Sequence, residues 1–347
     1  MLYFHNDYNR CCHEAVTEKL QQLAAAQMPG YGTDQVCASA ADKIRRLCQD
    51  DELAVHFLVG GTQTNLTVIA AALRPYQAVI GAECAHINVH ETGSIEATGH
   101  KVLGIPSADG KITAQQVEKL VLEQRESPDA EHIVQPKMVY ISDSTELGAV
   151  YTLQELKELS AMCRRNGLFL FVDGARLGYA LTAEGSDVTL ADLARYADVF
   201  YIGGTKCGAM FGEAVVISNG AIANDFRYMI KQRGGMLAKG WLLGAQFDAL
   251  MENDLYFTIC ARANRQADQI RETLAQLGYP LLVPGNSNQI FPILPDSVLA
   301  ELGKEFTFSE NGRVDENHRA VRFCTSWATD QQSVDALCEA LRKCSAR

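Results

Sequence analysis

Residues 168–176 read LFLFVDGAR, and this stretch decides the fold class of the chain. The unbroken apolar run 168–172 is typical of a strand that is buried on both faces, as in parallel sheets covered by helices. A carboxylate, Asp173, follows directly, and burying it without a cation or a strong hydrogen-bond donor is costly. The stretch therefore predicts a buried parallel strand ending in an acid, which either pairs with Arg176 or serves a ligand.

Strands and helices alternate on both sides of this stretch. The apolar runs that predict strands are residues 54–58, 78–81, 101–105, 138–141, 168–172, 198–202 and 214–217. Helical patterns separate several of them, at residues 63–73, 153–165 and 189–196, and the last begins with Thr189 as N-cap and Asp192 three residues on. This alternation predicts an α/β fold with a mostly parallel sheet sandwiched by helices. Ligands of such sheets bind at the carboxyl ends of the strands.

The pattern changes after about residue 240. Helices are predicted at residues 242–251, 260–277 and 330–343, and strands at 289–294 and 321–324. We therefore predict a large domain over residues 29–240 and a smaller α+β C-terminal domain over 241–347. Residues 1–28, an irregular start followed by one helix, are predicted to be an arm associated with the small domain.

Composition and charge exclude several classes of partner. The chain has 347 residues and a formal net charge of −11, which argues against nucleic acid or an anionic membrane. No apolar run approaches the ~20 residues of a spanning helix, and the start MLYFHNDYNR lacks a signal-peptide pattern. Eleven cysteines without a CxxC pair favour a reducing compartment. We expect a cytoplasmic protein that acts on a small molecule.

The first predicted strand ends in Gly60-Gly61-Thr62 and leads straight into a helix. Glycines let backbone N–H groups approach an anion, and the helix N-terminus favours negative charge. Neither the dinucleotide fingerprint nor the P-loop signature is present. The residues thus suit a phosphate, although ordinary turn chemistry before a helix explains them as well.

The next predicted strand is followed by His86 and His90, four residues apart. This spacing places them on one helix face, but a zincin has glutamate directly after the first histidine, where this chain has Ile87. We therefore expect no metal site, and a His86/His90 metallohydrolase is kept only as an alternative function. A flat imidazole at a strand end suits stacking on a planar ring, and a hydrogen-bonded structural histidine is the other interpretation.

The strand at 198–202 ends in a glycine-rich turn that carries Lys206. A lysine in an apolar turn has a lowered pKa and becomes a usable amine nucleophile. This lysine, the buried acid, the flat imidazole and the anion cradle all lie at strand ends of one predicted sheet. Together they describe a pyridoxal 5′-phosphate (PLP) site, in which an acid at the pyridine nitrogen makes the ring an electron sink.

The chain resembles fold-type I PLP-dependent enzymes, specifically the threonine aldolase / β-eliminating lyase family. The matching motifs extend over most of the chain: Asn6-Asp7, GYGTD at 30–34, GGTQTN at 60–65, His86-Ile87 with Glu91, DGAR at 173–176, GTK at 204–206 and RFCTSW at 322–327. The resemblance implies the transferase-like fold of these enzymes and PLP as the cofactor.

The resemblance also implies a role for each matching residue of the cofactor site. Lys206 is expected to bond to the aldehyde carbon of PLP, and His86 to stack on its ring. Asp173 is expected to pair with the pyridine nitrogen, while Gly61 and Thr62 bind the phosphate.

Substrate and assembly follow from the same resemblance. Arg176 and Arg322 are implied to bind the substrate carboxylate, a role that suits a planar guanidinium, with Asn6 nearby. Family sites lie between subunits, so a homodimer or homotetramer with shared active sites is implied. Lys231 or Arg233 of a neighbouring chain is a candidate for holding the phosphate.

The implied reaction is retro-aldol cleavage of the Cα–Cβ bond of a β-hydroxy-α-amino acid, for example L-threonine or L-allo-threonine to glycine and acetaldehyde. It needs a base for the β-hydroxyl proton. Many threonine aldolases carry a histidine where this chain has Glu146, so Glu146 or His86 is expected to be that base. The alternative is PLP-dependent β-elimination on another amino acid, in which Lys206 removes the Cα proton.

Overall fold

The computed structural model describes residues 1–345. Strands, in chain order, are β1 (Leu2–Tyr3), β2 (Ala54–Leu58), β3 (Gln77–Ala82), β4 (Val102–Ile105), β5 (Gln135–Ser142), β6 (Phe169–Asp173), β7 (Val199–Gly203), β8 (Glu213–Ile217), β9 (Gln289–Ile290), β10 (Ile293–Pro295), β11 (Phe306–Thr307), β12 (Ser309–Arg313) and β13 (His318–Cys324). Helices are α1 (Glu14–Leu23), α2 (Gln35–Cys48), α3 (Gly61–Ala72), α4 (His86–Val89), α5 (Ala114–Glu126), α6 (Leu153–Asn166), α7 (Leu177–Leu181), α8 (Leu190–Tyr196), α9 (Gly220–Ala223), α10 (Phe226–Gln232), α11 (Trp241–Leu250), α12 (Leu255–Gln276), α13 (Asp296–Leu302) and α14 (Gln331–Ser345).

Seven strands form the central sheet, in the order β2-β8-β7-β6-β5-β3-β4. Neighbouring strands are parallel except for the two pairs that β8 makes with β2 and β7. All residues of β3, β7 and β8 are buried, as are residues 170–173 of β6, because helices cover both faces of the sheet. The predicted α/β class with a mostly parallel sheet sandwiched by helices is confirmed.

Local sequence signals set several helix ends. Thr189 and Asp192 form the predicted capping box, each side chain accepting a bond from the other's backbone N–H at the start of α8. Gly167 ends α6 in the left-handed region, with a φ of 66° that glycine adopts without steric cost.

No helix among residues 1–345 has the length and apolar character needed to cross a membrane.

Two predicted elements differ from the structure. The single strand predicted at 289–294 is split into β9 and β10, because Pro292 has no N–H for the ladder and the neighbouring Phe291 carbonyl accepts from the backbone of Leu282. The helix predicted from Cys260 begins five residues earlier, at Leu255, because three of the four residues in its first turn are apolar and pack against the sheet core.

The two largest apolar cores among residues 1–345 belong to different parts of the fold. The larger one surrounds the central sheet and includes Phe247 of α11 and Tyr256 of α12. The smaller one joins Phe4 of the N-terminal segment, the later part of α12 and the strand β13. The strand β1 pairs in parallel with β11, so the N-terminus lies against the smaller sheet region. The domain boundaries given above stay a prediction.

Candidate active site

A cavity of about 320 Å³ opens at the carboxyl edge of the parallel strands. Most of the residues predicted for the cofactor or the reaction line it: Gly61, Thr62, His86, Glu146, Asp173, Arg176 and Lys206. The sheet topology explains their convergence, because β3, β5, β6 and β7 run in parallel and end at this edge. The edge predicted for ligand binding is thus the one at which the predicted residues meet.

Lys206 follows β7 in a tight turn, and its carbonyl accepts a 2.6 Å bond from the hydroxyl of Tyr179. Burial, and after it the nearby guanidinium of Arg176, lower the pKa of the lysine, while the acids Asp7, Asp173 and Glu213 act in the opposite direction. The pKa is therefore lowered as expected, and the neutral amine becomes more accessible. This places a nucleophilic amine in the cavity.

Asp173 ends β6 and is almost completely buried. Its Oδ1 accepts bonds from the Tyr201 hydroxyl (2.5 Å) and from the backbone N–H of Ala175 (2.9 Å). Its Oδ2 accepts a short bond from the Tyr140 hydroxyl and a 3.1 Å bond from the amide of Asn65. These four donors satisfy the buried carboxylate, so any further donor enters by replacing one of them.

The alternative ion pair between Asp173 and Arg176 is wrong, because Arg176 pairs with another acid. Its Nε and Nη2 donate to the two carboxylate oxygens of Asp7, at 2.7 and 3.0 Å, and Asn288 adds a third bond to this acid. Although burial alone would raise it, the pKa of Asp7 is lowered to about 2 by Arg176 and Lys206. Asp7 is therefore a buried anion that fixes the guanidinium at the cavity wall.

A chain of hydrogen bonds runs from Asp173 to His86. The amide of Asn65 donates to both Asp173 and the buried Glu91, and Glu91 in turn bonds Nδ1 of His86 at 2.8 Å. Ser94 donates to the other oxygen of Glu91. The imidazole of His86 is thereby held in one orientation beside the cavity, with 38% of the side chain exposed.

Glu146 lies in the loop after β5, facing the start of α4. Its Oε1 accepts a 2.8 Å bond from the backbone N–H of His86 and a 2.7 Å bond from the Ser142 hydroxyl. Burial raises the pKa of Glu146 despite these two donors. A carboxyl group with a raised pKa is a stronger base in its ionised form, so this environment suits general-base catalysis.

The anion cradle is the first turn of α3. The helix begins at Gly61 with Gly60 as N-cap, and no side chain caps its first amides. A Cβ added to Gly61 would lie 3.1 Å from the Tyr201 hydroxyl oxygen, so the close approach favours glycine. The helix dipole and the uncapped amides both favour an anion here.

Arg322 and Asn6, two of the residues predicted for the substrate carboxylate, are not among the residues that line this cavity. Arg322 of β13 donates to the carbonyl of His5 at 2.9 Å, and its other bonds go to Gln289 and Ser309. Asn6 accepts a 3.1 Å bond from the backbone N–H of Tyr8. Both residues belong to the part of the molecule around β1 and β13 rather than to the central sheet.

Lys231 and Arg233, which are predicted to bind the phosphate of a neighbouring chain, lie close to α3 of their own chain. Lys231 lies over the ring of Tyr31, 5.0 Å from its centroid. The carbonyl of Arg233 accepts a 3.2 Å bond from the side chain of Gln63 in α3.

The sequence reasoning missed Glu213, the first residue of β8. It is buried and lines the cavity, and its carboxyl accepts bonds from the backbone N–H of Gly204 and the hydroxyl of Thr205, both at 3.2 Å. Burial raises its pKa to about 8; Lys206 opposes the shift and Asp173 adds to it. An acid directly before the apolar run 214–217 was the available signal.

The two histidines considered for zinc are neighbours. The ring centroids of His86 and His90 are 5.6 Å apart and tilted by 53°. Within residues 1–345, no group of three or more His, Cys, Asp or Glu side chains is arranged to hold a metal ion.

Comparison with known proteins identifies the family. The family model described as β-eliminating lyase matches residues 12–296. The chain belongs to the β-eliminating lyase family. The chain is 32% identical to the low specificity L-threonine aldolase of Pseudomonas sp. (strain NCIMB 10558), over 97% of this chain and 96% of that one.

Solved structures of related proteins agree with this membership. The threonine aldolase of Leishmania major is 45% identical and superposes with a TM-score of 0.97, covering 99% of this chain and 100% of the other. An aspartate aminotransferase of Thermus thermophilus, at 17% identity and a TM-score of 0.72 over 99% of this chain and 91% of its own, shares the fold. The predicted family is confirmed, and as one of its members the protein uses PLP as cofactor.

The residues of this cavity fit PLP. The uncapped amides of α3 suit its phosphate, the amine of Lys206 suits its aldehyde, and Asp173 suits its pyridine nitrogen. One further observation is independent of the family: the side-chain oxygens of Thr64 and Asn65 are buried without a hydrogen-bond partner, and Asn65 lines the cavity. Buried polar atoms of this kind are usually satisfied by a bound group or by water.

Proposed function

We propose that this protein cleaves the Cα–Cβ bond of β-hydroxy-α-amino acids such as L-threonine or L-allo-threonine, which yields glycine and acetaldehyde. The observation that carries the proposal is one cavity in which an amine, an anion cradle and a buried acid lie together with a further carboxyl group, Glu146. Relatives at 31–32% identity named low specificity L-threonine aldolase support the choice of substrate.

In this proposal the cofactor would be held by residues at the ends of β2, β6 and β7 of the central sheet. Gly61 and Thr62 in the first turn of α3 would bind the phosphate, Asp173 would hold the pyridine nitrogen, and the amine of Lys206 would hold the aldehyde carbon. When bound, PLP supplies an electron sink for the pair of electrons released at the substrate's Cα. The fixed imidazole of His86 is suited to pack against the ring, because Glu91 holds its orientation.

Arg322 is the better candidate for the substrate carboxylate. The acceptors in its three hydrogen bonds, a carbonyl, an amide and a hydroxyl, are all neutral, whereas the charge of Arg176 is balanced by Asp7. A guanidinium with neutral neighbours gains more from a carboxylate. Arg176 assists through the nitrogen that Asp7 does not occupy, and Asn6 completes the group from the N-terminal segment.

Glu146 accepts the proton of the β-hydroxyl. Both donors that orient it bind Oε1, so the carboxyl is held in place while Oε2 carries out the proton transfer. Its raised pKa makes the ionised form a stronger base than an exposed glutamate. The position of His86 next to it makes the imidazole the second candidate.

The assembly and location are proposed on the same basis. We infer a homodimer or homotetramer in which Lys231 or Arg233 of a neighbouring chain contributes to the phosphate site. Lys231 is exposed and Arg233 is partly exposed, which leaves both side chains accessible for such a contact. A cytoplasmic location stays a prediction from the cysteine usage.

The test is an assay panel on the purified protein. Cleavage of threonine, allo-threonine and phenylserine is measured beside elimination from serine, cysteine and tyrosine. We expect aldehyde release from the first group to exceed elimination by at least an order of magnitude. Elimination as the faster reaction would contradict the proposal and favour the alternative.

A further inference from the structure

Glu213 has no role in the reaction proposed above, although it is a buried carboxyl group in the same cavity. It lies between the two halves of the cofactor site. In the sheet it is the register partner of Gly203 on one side, three residues before Lys206, and of Leu58 on the other side, three residues before Gly61. The carboxyl is thus placed between the lysine turn and the anion cradle.

The hydrogen bonds of its carboxyl group go to the turn that carries Lys206. One oxygen accepts from the backbone N–H of Gly204 and the other from the hydroxyl of Thr205, and that hydroxyl accepts from the backbone N–H of Gly212. The carboxyl therefore fixes the turn that presents Lys206. Each oxygen still has a lone pair that can carry a proton.

The charge of Glu213 conflicts with an anion in the cradle. A phosphate and a carboxylate in one buried cavity repel each other, because little water screens them. The groups that face Glu213 are the amine of Lys206, the carboxylate of Asp173 and the hydroxyl of Tyr201. Burial and Asp173 outweigh Lys206 and raise the pKa of Glu213 to about 8, so the protein already tolerates the neutral form.

We propose that Glu213 is a positioning residue which fixes the turn that presents Lys206 and takes up one proton from solvent when a phosphate group binds in the cradle. The protonated carboxyl keeps its hydrogen bonds to the turn and removes the repulsion; no bond is broken and no electron moves. The inference rests on the proposed cofactor site at Gly61 and Thr62. It assigns to Glu213 a control of cofactor affinity by pH.

The experiment compares two ligands of the full-length protein freed of cofactor. PLP and pyridoxal share the ring and the aldehyde that reacts with Lys206, and only PLP carries the phosphate; the internal hemiacetal of pyridoxal is corrected for by titrating it without protein over the same pH range. Dissociation constants are measured by absorbance or fluorescence titration between pH 7.5 and 9.5, where the phosphate stays a dianion. We expect the preference for PLP over pyridoxal to fall roughly fivefold from pH 8 to pH 9, since the proton must be bound above the pKa of Glu213.

Variants separate Glu213 from the other groups. In Glu213→Gln, which keeps the shape but not the charge, the preference should become independent of pH. Glu146→Gln removes the carboxyl group on the other side of the cavity and should keep the wild-type pH dependence of the preference for PLP. Glu213→Asp should retain a fall with pH, shifted along the pH axis.

Three outcomes overturn the inference. A preference for PLP that stays constant from pH 7.5 to 9.5 in the wild type does so, even if Glu213→Gln fails to fold. The same slope in Glu213→Gln as in the wild type also does so. Failure of both ligands to bind in a way that depends on Lys206 would overturn the proposed cofactor site itself, together with this inference.

Discussion

The two sides of the cavity each hold one carboxyl group, but the neighbours of these two groups differ. On the Lys206 side, which comprises Gly61, Thr205, Lys206 and Glu213, the acid faces an amine and an anion cradle. On the Glu146 side, which comprises His86, Ser142 and Glu146, the acid is bound by a backbone N–H and a hydroxyl. Burial raises the pKa of both acids. The Lys206 side therefore suits the cofactor, which every reaction of this family needs, and the Glu146 side suits the choice of reaction.

The largest effect is expected from Lys206→Ala. Loss of the amine should reduce cleavage and elimination alike to background, since both depend on this nucleophile. The borohydride-reducible absorbance of the bound cofactor should disappear as well. An exposed lysine of α5 serves as control, because Lys119→Ala should leave activity and absorbance unchanged. Retained turnover in Lys206→Ala would refute the assignment of the Lys206 side.

The second effect is expected from Glu146→Gln, which should lower aldol cleavage by about 10²- to 10⁴-fold by removing the base. Affinity for PLP should stay the same, because Glu146 lies on the other side of the cavity. In the wild type, kcat/KM should rise with pH through the raised pKa of Glu146, since only the ionised form accepts a proton. This rising limb should vanish in the variant.

A matched variant tests whether the loss of any carboxylate near His86 is enough to change the pH profile. Glu83→Gln removes an exposed carboxylate three residues before His86 and should leave the pH profile unchanged. If Glu146→Gln kept both its rate and its rising limb, His86 would become the candidate for the base.

A third, smaller effect is expected from Asp173→Asn. Asp173 lies at the floor of the cavity, and hydrogen bonds link it to both sides, through Tyr201 next to Gly61 and through Asn65 and Glu91 to His86. Removing its charge should slow cleavage and elimination by a similar factor, about 10²- to 10³-fold, as for the loss of one preorganised electrostatic contact. A strong effect on one reaction alone would show that Asp173 belongs functionally to one side.

The sequence predicts the Lys206 side only in part, for a topological reason. Residues directly after parallel strands reach the active edge, and this rule finds Asp173 and Lys206. Glu213 lies at the start of its strand, not at the end, but β8 runs antiparallel to β7, so this first residue reaches the same edge. The order and direction of the strands cannot be derived from the apolar pattern alone, because buried parallel and antiparallel strands give similar runs.

Long-range ion pairs are hidden for a different reason. The sequence offers Arg176 as a partner for the nearby Asp173, but the structure pairs it with Asp7, from the N-terminal segment. Both pairings satisfy the same charge balance. Only the path of the N-terminal segment, fixed by β1 on β11 and by Phe4 in the smaller core, decides between them.

The ion pair between Asp7 and Arg176 gives the smallest expected effect, and this effect is on the free energy of unfolding rather than on the reaction. The folded-state pKa of Asp7, about 2, lies below its ordinary value of 3.8, so the carboxylate stabilises the fold at pH values above about 4. About 2 kcal/mol of this stability should be lost as the pH falls from about 4 to about 2. Thermal or urea unfolding of the wild type and of Asp7→Asn across this range measures it, and the variant should lack this component of the acid loss.

A matched ion pair on the surface shows whether burial is the cause. At neutral pH, Asp7→Asn leaves the guanidinium of Arg176 without its carboxylate and should cost about 3 kcal/mol. Asp42 pairs with Arg45 at a comparable distance of 2.8 Å, but 58% of its side chain is exposed, so Asp42→Asn should cost less than about 1 kcal/mol. Equal costs for the two variants would mean that the N-terminal segment is not anchored through Asp7. In that case the Lys206 side would have no stabilising link to the N-terminal segment.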